Sequence, residues 1–148
     1  MKAVLIGTIL MATIMISMVS GWHTNFNRAK EEAKNEHKFL LLNFSGSDWC
    51  VPCIRTKKEI FDARSFSSFA DSNLVLVNAD FPRLKKNRLP SAQTKENEAL
   101  AEQYNKKGAF PLTVLLDGNG KILKEWVGYP DVAPDKFIDQ IKSVEQHN

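Results

Sequence analysis

Apolar residues fall into two kinds of run along this chain, one long and several short. Residues 3–22 form an uninterrupted uncharged stretch dominated by Ile, Leu, Met, Val and Ala. After it the chain turns polar, and shorter apolar runs appear at residues 39–44, 74–79 and 112–116. Each is nearly continuous rather than alternating, as expected of a strand covered on both faces, although periodicity alone does not separate such a run from a buried helix. Residues 121–127 form a fourth strand, paired antiparallel to the third through the turn Asp117, Gly118, Asn119 and Gly120.

Helical segments are predicted between these strands. Residues 25–36 carry many charges and strong helix formers behind a capping Asn25, which predicts a solvent-facing helix. From Cys50 onward helical spacing returns, with Ile54 and Phe61 seven apart. A helix or turn follows at 65–72, completing a strand, helix, strand unit whose strands pair in parallel. A long polar connection at 81–94, with two prolines and Lys85, Lys86 and Arg88, leads to a helix over 95–106 that Gly108 ends. Pro134 and Asp135 open a closing amphipathic helix to residue 144, with Phe137, Ile138 and Ile141 facing inward. The pattern is α/β, with a central mixed sheet of about four to five strands flanked by helices.

Composition narrows the class. With 148 residues and 43% hydrophobic content the chain fits one domain with a sizeable core. A formal charge of +3, spread without blocks, gives no reason to expect nucleic-acid binding. Lys2, the apolar run and the small residues at 17–21 predict an export signal over residues 1–21, or an uncleaved membrane anchor, with the domain at 25–148. No cysteine follows the run to accept a lipid. Either reading places the domain in the periplasm or otherwise outside the cytoplasm, where disulfides persist.

The only two cysteines stand in Trp49-Cys50-Val51-Pro52-Cys53, where a strand hands over to a helix. At a helix start, unpaired amides and the macrodipole stabilise a thiolate, which marks Cys50 as nucleophile. Cys53, one turn further, is suited to attack the mixed disulfide that Cys50 forms. Pro52 lacks an amide hydrogen that the first turn does not need, and Trp49 offers an apolar wall to a docked chain. Zinc would need two more ligands, and His23, His37 and His147 show no ligand spacing. Haem attachment would need His where Ile54 stands. A purely structural disulfide closing so short a loop would constrain little of the unfolded chain. Redox exchange, requiring no metal or organic cofactor, is the leading reading.

Trp49-Cys50-Val51-Pro52-Cys53 after a buried strand, with Phe110-Pro111 before a later one, resembles the thioredoxin superfamily over about residues 38–146. More narrowly, the lead-in from Phe44 to Cys50 is similar to exported thioredoxin-like proteins common in Bacteroidetes and related bacteria. The resemblance implies the thioredoxin fold, a cis Pro111 beside the cysteines, and a substrate segment bound at Trp49, Pro52, Phe110 and Pro111. It also exposes two departures. Asn43 stands where thioredoxin has a buried Asp that moves the proton of the second cysteine, and apolar Leu76 stands where it has a buried Lys. Water or Asp48 would then take that proton, although Asp48 reads first as a solvated loop residue. Phe110 either packs in the core or narrows substrate access. Arg55, Lys57 and Lys58 read as a solvent face. Lys85, Lys86 and Arg88 read as solvated loop charges, with a basic rim for acidic partners as the sharper alternative.

The implied function is that of an exported thiol-disulfide oxidoreductase acting on protein or peptide thiols and disulfides through a reversible Cys50–Cys53 disulfide. Val-Pro between the cysteines resembles reducing thioredoxins more than oxidases. Such a monomer would be recharged by a membrane electron donor or other redox partner. The rival is a non-catalytic peptide-binding module whose disulfide stays closed.

Overall fold

The structure, a computed structural model, describes residues 21–147. Four strands form one sheet in the order β2-β1-β3-β4: β1 (Phe39–Ser45), β2 (Leu74–Asp80), β3 (Leu112–Leu116) and β4 (Ile122–Val127). β1 and β2 run parallel, while β3 is antiparallel to both β1 and β4. The sheet is mixed, as expected, and each continuous apolar run became one of its three inner or covered strands.

Side chains alternate across a strand, so β1 feeds two cores at once. Leu40, Leu42 and Phe44 face α1 (Phe26–Asn35) and α4 (Ser91–Tyr104), together with Val75, Val77 and Ala79 of β2 and Leu112, Val114 and Leu116 of β3. Leu41, Leu74, Leu76 and Leu115 face the opposite layer, where Phe66, Phe137, Ile138 and Ile141 come from α3 (Arg64–Asn73) and α5 (Pro134–Glu145). Leu40, Leu41, Leu42 and Phe44 are all fully buried, and each contributes about 1.5–3 kcal/mol of apolar transfer. This double coverage is why the strand's sequence is continuous rather than alternating. Phe137, Ile138 and Ile141 face inward as their spacing predicts.

Three expectations need correction. The helix predicted from 95 starts at Ser91, just after Pro90, and its first turn buries no side chain, so apolar periodicity could not mark it. The single helix predicted from Cys50 is α2 (Val51–Thr56) followed by a π turn (Lys57–Phe61). The wider turn rotates the faces: Phe61 is buried, whereas Ile54 remains 47% exposed, so the pair seven apart does not share an inward face. Finally, the packed domain reaches back beyond residue 25. The His23 amide donates to the Leu76 carbonyl (2.8 Å), the Asn78 amide donates to the His23 carbonyl (3.0 Å), and Trp22 packs on Phe61 with ring centroids 5.0 Å apart. Residues 1–20, which carry nearly all of the expected signal or anchor, lie outside the described residues. Among the described residues no helix is long and apolar enough to cross a membrane.

Candidate active site

β1 ends in Ser45, and the chain then turns through Gly46, Ser47 and Asp48 to the cysteines. The amides of Trp49 and Cys50 both donate to the Gly46 carbonyl, closing the turn. Ser47 fastens it to the end of β2: its amide and hydroxyl donate to the two carboxylate oxygens of Asp80 at 2.9 and 2.6 Å. Asp48 fastens it to the following loop, accepting from the amides of Arg83 (2.9 Å) and Leu84 (3.0 Å) and from the side chain of Asn87 (3.0 Å). The Arg83 amide in particular holds the Asp48 carboxyl below its ordinary pKa. Asp48 is therefore a loop clamp, its oxygens committed away from proton transfer.

Trp49 forms a wall over this turn. Its indole N–H donates to the Phe81 carbonyl at 2.7 Å, the Phe110 ring meets it edge-on at 5.4 Å, and the Arg83 guanidinium lies 3.7 Å from its ring centroid. Gly46 is required beneath it, because a Cβ there would come within 2.2 Å of the indole. Phe110 also meets Phe81 at 5.4 Å and is half-buried. It thus packs at the margin of one core and faces Trp49 as well. The Phe110–Pro111 bond is cis, as the resemblance implied, and the Pro111 carbonyl accepts from the Gly128 amide.

Cys50 caps α2, with its Sγ accepting from the Cys53 amide at 3.3 Å. The two form a disulfide, with S–S 2.08 Å and Cα atoms 5.2 Å apart. Both residues are buried, while Val51 and Pro52 beside them are exposed. Pro52 contributes its carbonyl to the Thr56 hydroxyl (2.8 Å) and sits in the first turn, where its missing N–H is not needed. Further along, the Glu59 carboxylate accepts from the Tyr129 hydroxyl and from Arg55, which pushes its pKa down and that of Tyr129 up. Arg55 stacks over Tyr129 (4.0 Å), so this residue, read as part of a solvent face, ties the cysteine helix to the 128–131 loop.

Behind Cys53 lies a cleft of about 300 Å³ lined by Asn43, Ser45, Lys57, Asn78, Trp22 and Ile54, among others. Its floor is a hydrogen-bond network of amides and hydroxyls that reaches the Asp80 carboxylate at one end. Asn43 donates to the Asn78 side-chain oxygen (3.0 Å) and accepts from Thr113 (3.2 Å), while Ser45 donates towards Asn78 (3.2 Å) and Asp80 (3.3 Å). Asn43 is therefore a satisfied amide in the place expected for a proton acceptor, and Leu76 is simply buried core. Trp22, Ser45 and Asn78 were not singled out from the sequence, and Lys57 was read only as part of a solvent face. Asn78 had a readable signal: each of the first two apolar runs carries Asn at its fifth position, and the parallel register sets Phe39 opposite Leu74 and Asn43 opposite Asn78.

Against known proteins, a family profile described as a thioredoxin-like domain matches residues 26–145. The disulfide bond reductase DsbH of Chlamydia pneumoniae is 35% identical over 119 residues, covering 80% of this chain and 69% of that protein. The thioredoxin-related protein DsbJ of the same organism is 30% identical over 95 residues, which is 64% of this chain and 26% of DsbJ. A solved DsbH oxidoreductase superposes with TM-score 0.78 at 33% identity over 96% of each chain. A thioredoxin from Thermus thermophilus, 15% identical, shares the fold with TM-score 0.61 over 86% of this chain and 88% of its own.

Proposed function

The chain belongs to the thioredoxin-like family and is a thiol-disulfide oxidoreductase, and we propose that it works outside the cytoplasm as a reductant or exchanger of protein disulfides. The observation that carries this reading is Cys50 capping α2 in a closed bond to Cys53, beside exposed Val51 and Pro52 and a half-buried wall of Trp49 and Phe110. Similarity to a protein named as a disulfide bond reductase supports the reducing direction.

In the reduced protein the Cys50 thiolate attacks one sulfur of a substrate disulfide. A new S–S bond joins Cys50 to the substrate, and the other substrate sulfur leaves as a thiolate that takes up a proton. Cys53 then loses its proton and attacks the Cys50 sulfur, releasing the second substrate thiol and closing the Cys50–Cys53 disulfide. Two electrons have moved from the dithiol to the substrate. The amides at the start of α2 stabilise Cys50 as the thiolate that attacks. For Cys53 the cleft beside Asn43 and Ser45 supports water as proton acceptor, since Asn43 cannot take up a proton and Asp48 is committed to its loop. Trp49, Pro52, Phe110 and Pro111 are assigned to the substrate. Recharging falls to a membrane dithiol donor, the working form is a monomer, and the leader over residues 1–21 supports an exported or membrane-anchored location.

Cys53→Ala should accumulate mixed disulfides through Cys50 with proteins of the cell envelope, and Cys50→Ala should abolish them. Equilibration of the parent with a glutathione series should open the pair at a potential between about −270 and −120 mV. A pair that never opens in that range, with nothing trapped, would leave only a closed binding module.

A further inference from the structure

On the other side of Trp49 from the cysteines, a groove of about 900 Å³ runs between the 81–90 connection and the start of α4. Its aromatic floor includes Phe81 and Phe110, and Trp49 and Phe110 make it continuous with the redox site. Arg83, Arg88 and Lys95 line it, and Lys85 and Lys86 stand on the short 3₁₀ turn of the same connection. All five are exposed, and among the described residues none has an ion-pair partner.

The nearby carboxylates keep their charge but form no ion pair with them. Asp48 is committed to the Arg83 and Leu84 amides and Asn87, and Asp80 to Ser45 and Ser47. Glu98 alone remains along the groove without such a commitment. A chain whose whole formal charge is +3 therefore concentrates five unpaired cations at one edge of its redox site. Buried structure does not need their charges there, because all five are exposed and only Arg83 packs on a neighbour, the Trp49 ring. An aromatic floor with cationic walls fits an extended peptide carrying carboxylates.

Building on the oxidoreductase reading, we propose that this groove is a specificity site that takes an Asp- and Glu-rich segment flanking the target cysteine of a substrate protein. Arg88 and Lys95 pair with its carboxylates while the cysteine lies over Cys50, and Arg83 holds Trp49 in place between the two. Each exposed charge pair alters affinity by a factor of about 1.5 to 5, so two or three acting together span about 2- to 100-fold, with a preference of about 5- to 20-fold expected at low salt from mid-range pairs.

The test uses two disulfide-bonded peptides, identical except that Asp and Glu beside the cysteine in one are Asn and Gln in the other. The reduced protein should reduce the acidic peptide with a kcat/KM about 5- to 20-fold higher, and the ratio should fall towards one as salt screens the pairs. Arg88→Glu with Lys95→Glu should bring the ratio to one or below. Because the ratio is internally controlled, a general loss of activity does not affect it. If that double variant does not fold, Arg88→Gln and Lys95→Gln singly should each lower the ratio. A cysteine-free acidic peptide, with Ser at the target position, should shift amide signals of residues 81–95 in a salt-dependent titration. Equal rates for the two peptides, or a preference that survives charge reversal, overturn the groove assignment while leaving the oxidoreductase reading intact. Binding of the Ser peptide without reduction of either disulfide peptide overturns the oxidoreductase reading while supporting the groove. No binding and no preference overturns the groove.

Discussion

Gly46→Ala is expected to damage the site from beneath. The added Cβ would lie 2.2 Å from Trp49 Cε2 and 2.5 Å from both Cζ2 and Nε1, where nonbonded carbons need about 3.5–4 Å. The indole has no free direction in which to yield: its N–H holds the Phe81 carbonyl at 2.7 Å, and Phe110 and Arg83 lie against it. Retreat by roughly 1 Å or more weakens a hydrogen bond worth about 0.5–1.5 kcal/mol. It also weakens an aromatic pair worth about 0.5–1.5 kcal/mol and a cation–π contact worth about 0.5–1 kcal/mol at an exposed site. Against this, alanine restricts the unfolded chain and returns about 0.4–1 kcal/mol. The net loss is about 2 kcal/mol, equivalent to a fall of roughly 6–10 °C in Tm for a domain of this size. Urea unfolding should show a lower midpoint at unchanged slope. In a Trp49→Ala background the same substitution should cost nothing and return about 0.4–1 kcal/mol, giving a coupling of about 2.5–3 kcal/mol. An equal cost in both backgrounds, or a Gly46→Ala protein within about 0.5 kcal/mol of the parent, would refute the argument that Gly46 exists to seat Trp49.

Asn43→Asp should lower stability at neutral pH by about 1–3 kcal/mol, since a buried carboxylate would face the Asn78 oxygen that now accepts from Asn43. Its folded pKa would be raised, so the variant should recover stability as pH falls towards 4 and lose it as pH rises; a pH-independent difference from the parent in urea unfolding would contradict this. Asp48 and Glu59 have the opposite sign: both are depressed in the fold, Asp48 first by the Arg83 amide and Glu59 first by the Tyr129 hydroxyl. Their contributions are fully present above an ordinary carboxylate pKa of about 4 and are lost as pH falls through the depressed values. The stability gap between parent and Asp48→Asn should therefore narrow between about pH 5 and pH 2, and a constant gap would count against the clamp. Gly108 and Gly120 both have positive φ, but only at Gly120 would a Cβ meet a neighbour, the Tyr104 hydroxyl at 2.9 Å. Each change to Ala should cost about 1–2 kcal/mol of backbone strain, and Gly120→Ala measurably more than Gly108→Ala in thermal melts; equal costs would show that Tyr104 yields freely.

Much of the molecule was legible because it is local. Three continuous apolar runs became β1, β2 and β3, Pro134 opened α5, and Cys50 capped the helix that its spacing predicted. The Gly-Ser-Asp-Trp lead-in was recognisable only as a pattern, and the fold supplies its meaning: Gly46 seats the indole, Ser47 holds Asp80, and Asp48 holds the next loop.

By itself the sequence determined the element types, the redox pair and the absence of a carboxylate at Asn43, because spacing, capping and residue chemistry act within a few positions. Only the tertiary structure decided that Arg83 stacks on Trp49, that Trp22 and Asn78 wall the cleft behind Cys53, that Ile54 stays exposed while Phe61 beyond it is buried by the π turn, and that Arg83, Arg88 and Lys95 line one groove with Lys85 and Lys86 on the connection beside it. Those contacts join segments separated by tens of residues, and sheet order and strand register, not local spacing, bring them together.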